Sequence, residues 1–191
     1  MNRIMRLMRG QPSTTKSTAA LWAKSLIGSF IFFGVFMVAL PWPAHRLLPA
    51  TLPLPPLLAT WGGGALFVVG VGLWILCLDA FSRRGRGTPS PMDAPQHLVT
   101  HGLHGVLRNP IIAAETMVIW GEALYFSSLG FLGYAILMTG FAQWVVLRVE
   151  EPELRKRFGE SYEVYCRNVP RWLPRFRAGR GITRSPKETE P

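Results

Sequence analysis

Residues 57–81 read LLATWGGGALFVVGVGLWILCLDAF, and the only charged side chain among them, Asp79, stands close to the end. A helix of about 20 residues rises roughly 30 Å, the thickness of a bilayer's hydrocarbon core, so the run is long enough to cross one. The glycines at 62–64, 70 and 72 would weaken an exposed helix in water. In a membrane bundle they let a neighbouring backbone approach closely, and packing is the role expected of them.

On the N-terminal side, residues 19–40 form another apolar run, interrupted only by Lys24 and small polar residues near its start. Lys24 can lay its alkyl stem along the helix and send its ammonium to the nearer interface. Pro41-Trp42-Pro43 removes backbone donors and is expected to stop this helix in the headgroup region, with Pro49, Pro53, Pro55 and Pro56 extending the break. The run is too long for a signal-peptide core and lacks a small-residue cleavage pattern, so it reads as a retained membrane helix. On the C-terminal side, residues 111–126 and 129–149 are two further apolar runs, and Ser127-Ser128 and Gly130 between them predict a tight helical hairpin. The earlier of the two is short for a straight span. It carries Glu115 and Glu122, seven residues apart and so on roughly one face. Glu115 is a candidate for lining a polar cavity, and Glu122, near the hairpin, reads as an interfacial residue.

The chain is therefore expected to be an all-α, polytopic integral membrane protein with about four transmembrane helices. Its parts are a basic tail (1–18), two membrane helices (19–81), a region containing the membrane hairpin (82–176) and a flexible polar tail (177–191). Arg3, Arg6, Arg9, Lys16 and Lys24 lie at the start; Arg46 is alone in the first connection, while Arg83, Arg84, Arg86 and Arg108 fill the second. That alternation puts both termini and the second connection on the cytoplasmic side. The net charge of +10 suits anionic lipid headgroups. With no zinc finger, Walker-type loop or aromatic-basic repeat, nucleic acid is not an expected partner. Cys77, in an apolar run, and Cys166, in the basic tail, are expected to be free thiols.

Chemistry concentrates in two stretches: Gln96-His97-Leu98-Val99-Thr100-His101-Gly102-Leu103-His104-Gly105-Val106-Leu107-Arg108-Asn109-Pro110, and Glu150-Glu151-Pro152-Glu153-Leu154. The hairpin brings them to one face, where Arg108 and the paired glutamates are expected to meet. His97, His101 and His104 have spacings of four and three that suit a helical metal site, but Gly102, Gly105 and Pro110 weaken a regular helix, and no metal is expected. Arg108 can snorkel to phosphate or bind a carboxylate; Asn109 adds a donor and an acceptor, and Pro110 marks a helix start. Of Glu150 and Glu151, one can bind a cationic cofactor while the other caps Arg148 or the Arg155-Lys156-Arg157 run. Beyond Glu153, the stripe Leu154, Phe158, Tyr162, Tyr165 and Val169 predicts an amphipathic helix, ended by Val169-Pro170-Arg171-Trp172-Leu173-Pro174, that hugs the membrane as a cap.

These motifs, in this order, resemble the isoprenylcysteine carboxyl methyltransferase and phospholipid methyltransferase superfamily, especially its small bacterial members. The resemblance covers about residues 95–175 and also rests on Gly121-Glu122-Ala123-Leu124 and Phe158-Gly159-Glu160-Ser161-Tyr162. It implies S-adenosyl-L-methionine as methyl donor, a membrane-embedded catalytic region within 82–176, and a bacterial inner-membrane location with a cytoplasmic active site. By position, the implied cofactor residues are Gln96, His97, Leu98, Val99, His104, Asn109, Pro110, Ile111, Ile112 and Glu150. Arg108, Glu150 and Glu151 are the expected catalytic residues. His104 and Ile112 stand where the family commonly has Tyr, and Ala114 where it has Gly. Val146 replaces the substrate-binding Arg of isoprenylcysteine-specific members, so a different acceptor pocket, lined by Gln143, Trp144 and Val146, is expected. The function implied is methyl transfer to a small amphiphilic or lipid-like acceptor, with membrane lipids as surroundings and the oligomeric state open. Two other readings are a noncatalytic membrane adaptor that retains the fold, suggested by the altered positions, and a membrane reductase.

Overall fold

The computed structural model describes residues 17–85 and 96–174. Nearly all of the basic N-terminal tail, the 86–95 part of the second connection and the polar tail 177–191 lie outside the described residues. Among the described residues every regular element is a helix, and one isolated bridge pairs Thr51 with Ser128.

Helix α1 (Thr18–Phe32) starts at Ser17, whose hydroxyl accepts from the Ala20 amide at 3.4 Å. It passes without interruption through wide π-helical turns (Phe33–Ala39) into α2 (Pro41–Leu47), giving one rod over Trp22–Leu47. The expected stop at Pro41-Trp42-Pro43 is thus overturned. The turn before the prolines is wound in a five-residue register, with Leu40 N donating to Val35 O at 2.9 Å. In that register Pro41 lacks the donor that would reach Phe36 O, and the Tyr134 hydroxyl supplies one at 2.6 Å. Pro41 also opens α2, where a first-turn N–H is not required.

Helix α3 (Gly63–Ala80) is extended by π-helical turns on both sides into a span over Leu58–Arg83. Helix α4 (Pro110–Tyr125) follows the second connection, and α5 (Leu129–Val145) follows the hairpin turn. The rod of α5 does not end at its membrane segment: π-helical turns (Val146–Glu150) carry it into α6 (Glu151–Phe158), making Leu129–Phe158 continuous. Pro152 fits because it lies in the first turn of α6. Gly159, at φ 52°, then turns the chain into α7 (Glu160–Asn168), so the expected amphipathic helix is two short helices.

Three of these rods are long and apolar enough to cross a membrane. The fourth, α4, has 16 residues and rises only roughly 24 Å. It is the bundle's centre: Val118, Ile119 and Ala123 pack with Met37, Phe131, Tyr134 and Ala135. Phe30, Ile31, Val68, Leu76 and Leu137 point outward from the other rods, as lipid-facing residues do. Glycine sets the α3–α4 distance. A Cβ on Gly63 would stand 2.5 Å from Tyr125 N, and one on Gly121 would stand 2.7 Å from Phe67 N.

The hairpin turn closes one end of the bundle, where Leu52 N donates to Ser127 O at 2.7 Å and His45 Nδ1 lies 2.8 Å from Ser128 Oγ. The start of α1, the end of α3, the start of α4 and the end of α5 gather at the other end. There α3 continues past Leu78, which packs in the cluster that includes Ile111, to the turn at Phe81–Gly85. Its end stands roughly 10 Å above the level at which α4 begins.

Candidate functional site

The site end is built by the second connection, the end of α5 and the folded-back C-terminal segment. From the connection come His104, in a short turn at Gly102–Gly105, and then Arg108 and Asn109 before α4. The short turn keeps His97, His101 and His104 off a common helix face. His104 is buried with its ring edge-on to Phe81 at 5.1 Å. Burial pulls its pKa down to about 4, so the imidazole is neutral at pH 7. Its carbonyl accepts from the Tyr165 hydroxyl at 2.6 Å. Burial also pushes the Tyr165 phenol upward, which keeps it a donor.

The C-terminal segment holds the connection down. Leu98 packs with Tyr162, Tyr165 and Val169, so the apolar stripe expected to hug the membrane turns onto the connection, and Pro170 O accepts from Arg108 N at 2.8 Å. The stripe therefore covers the connection.

Glu151 is the electrostatic hub. Arg171 grips it with Nε at 2.6 Å from Oε1 and Nη2 at 3.0 Å from Oε2. Arg108 Nη1 lies 3.2 Å from Oε1, and Arg155 Nη1 lies 3.7 Å from Oε2. Arg108 Nη1 also donates to Cys166 Sγ at 2.8 Å. The meeting of Arg108 with the glutamate pair is thus made by Glu151. Arg148 is not capped by either acid, whereas Arg155 of the following basic run is paired.

Glu150 is half-buried and makes no hydrogen bond or ion pair with any described residue. It lies within electrostatic reach of Glu115, whose Oε1 accepts from Trp74 Nε1 at 3.3 Å. Glu122 sits at the opposite end of α4. It is buried, with Oε2 unpartnered, so its carboxyl faces protein.

Of the other expected cofactor residues, Val99, Pro110 and Ile112 are buried beside His104 and Asn109 in sequence, and Leu98 and Ile111 are half-buried. Gln96 and His97 are exposed. Val146 is fully buried, while Gln143 is half-buried and Trp144 exposed. Two functional candidates carry no signal of their own in the sequence: Cys166, which accepts from Arg108, and Arg171, which grips Glu151. Arg171 stands within the quoted Val169–Pro174 motif, but nothing local signals that its partner is Glu151.

His104 Nδ1, Arg108 Nε and Asn109 Nδ2 are all buried with no hydrogen-bond partner. Buried polar atoms are usually paired, because an unpaired one costs about 1–3 kcal/mol. Three on one short segment mark a surface suited to a polar ligand with several hydrogen-bonding groups.

The chain matches the phospholipid methyltransferase family over residues 58–161, more than half its length and inclusive of α3 to the start of α7. No curated protein matches it.

Proposed function

The chain belongs to the phospholipid methyltransferase family, and on that premise we propose that it uses S-adenosyl-L-methionine to methylate a small amphiphilic or lipid-like acceptor. The cluster of unpartnered atoms on His104, Arg108 and Asn109 carries this reading. The donor brings a carboxylate, an ammonium, ribose hydroxyls and an adenine, and its chemical contribution is a methyl group made electrophilic by sulfonium. Arg108 and Asn109 supply donors for the anionic and acceptor groups. Glu150, with a carboxylate unclaimed by any described cation, receives the ammonium. His104, Leu98, Val99, Pro110, Ile111 and Ile112 form the wall, with Gln96 and His97 at its mouth.

The chain's part in the reaction is positioning. Holding the acceptor's oxygen, nitrogen or sulfur lone pair in line with the sulfur–methyl bond lowers the entropic barrier. The new bond forms as that bond breaks and its electron pair returns to sulfur. A carboxylate acceptor needs no base, whereas an amine must first be unprotonated. The bundle end that bears the site faces the cytoplasm in this proposal, and the host membrane is the bacterial inner membrane.

Titration of S-adenosyl-L-methionine into folded wild type, Arg108→Gln and Glu150→Gln tests the site. Each variant is expected to bind at least about tenfold more weakly, the loss of one buried charge-assisted contact. Wild-type affinity in both folded variants would remove these residues from the donor site. In parallel, purified protein, labelled methyl donor and fractionated membrane and small-molecule extracts should yield a methylated product identifiable by mass. Donor-independent partner binding without methyl transfer would favour the adaptor reading.

A further inference from the structure

Arg171 lies on the C-terminal segment, beyond the residues assigned to the donor site, yet it holds the same carboxylate as Arg108. Glu151 is almost fully enclosed, with a side chain 4% exposed, and Arg171 occupies both of its oxygens. A carboxylate offers a guanidinium one bidentate face. With that face taken, Arg108 is left a single-nitrogen contact at 3.2 Å, and its Nε stays buried and unclaimed. The neighbouring backbone works in the same sense, since Pro170 O holds Arg108 N.

We propose that Arg171 is a positioning residue of the donor site: by filling the bidentate face of Glu151 it keeps Arg108 from folding onto that carboxylate and reserves Arg108 Nε for the carboxylate of the donor. This rests on the reading of Arg108 as a donor-binding residue. Glu151 is then a shared anchor whose strength must be divided. Without Arg171, the buried carboxylate would be under-compensated and Arg108 would be the nearest guanidinium to satisfy it.

The test is S-adenosyl-L-methionine binding to purified wild type, Arg171→Gln, Arg171→Lys, and each Arg171 variant combined with Glu151→Gln, with thermal unfolding measured on every protein. Arg171→Gln is expected to weaken binding by at least about tenfold. Arg171→Lys, which keeps charge but not the fork, should fall between. The double variant Arg171→Gln/Glu151→Gln should recover most of the lost affinity, because the competing carboxylate is gone. A purely structural Arg171 predicts the reverse, a double variant that binds no better than Arg171→Gln alone. That outcome, or wild-type binding by folded Arg171→Gln, overturns the proposal. If Arg171→Gln does not fold, the Arg171→Lys pair with and without Glu151→Gln makes the same comparison. A folded wild type that binds no donor overturns the donor reading itself and the positioning role with it.

Discussion

Behind the ring of Phe81, His104 keeps a nitrogen that no described group satisfies, and its pKa is held near 4 by burial. An unfolded chain would protonate this imidazole at its ordinary value near 6.5. Between those values the unfolded state binds more protons, so stability is full above about pH 6.5 and is lost as pH falls toward about 4, by about 3 kcal/mol. Thermal unfolding across that window should show the loss in wild type and a smaller one in His104→Gln. Equal acid sensitivity in the two proteins would place the titrating group elsewhere. A ligand that accepts from Nδ1 favours the protonated ring and narrows the difference, whereas one that donates to Nδ1 favours the neutral ring and widens it, which makes the same measurement informative with donor present.

Among the elements, α3 and α4 are the pair whose separation is fixed by absent side chains. Gly121→Leu should destabilise the bundle by about 1–3 kcal/mol or more through overpacking, read as a lower unfolding temperature in detergent. The neighbouring exposed position Gly72, where a Cβ meets nothing within 4 Å, serves as the control. The membrane helices and the hairpin were legible in the sequence because apolar length and the Ser127-Ser128 break are local signals. The continuation through Pro41 was not legible, since it depends on Tyr134, 98 residues away, satisfying Phe36 O. At the site, Arg108 and the glutamate pair could be read from their motifs. Which glutamate meets Arg108 could not, because the π-helical turns at Val146–Glu150 reset the side-chain directions. Arg171 was equally hidden, its partner being 20 residues back in the chain.

For the whole molecule, the four rods alternate in direction, so Ser17 and the folded-back C-terminal segment share one end of the bundle. Placing that end in the cytoplasm gives a direct check. In a background with Cys77 and Cys166 replaced, Leu173→Cys at the site end and Leu47→Cys at the hairpin end provide two exposed positions. A membrane-impermeant maleimide should reach Leu173→Cys only in inverted vesicles and Leu47→Cys only in right-side-out ones; the opposite pattern would invert the topology. The short α4 has a further consequence. Because its neighbours rise past its first residue, the floor of the site is sunk below the bundle's rim. On the proposed function, an amphiphilic acceptor would reach it from within its own leaflet, with its tail never leaving the lipid. Turnover would follow the acceptor's mole fraction in the membrane, as in surface-dilution kinetics, and the acceptor's amount per volume of solution would matter little.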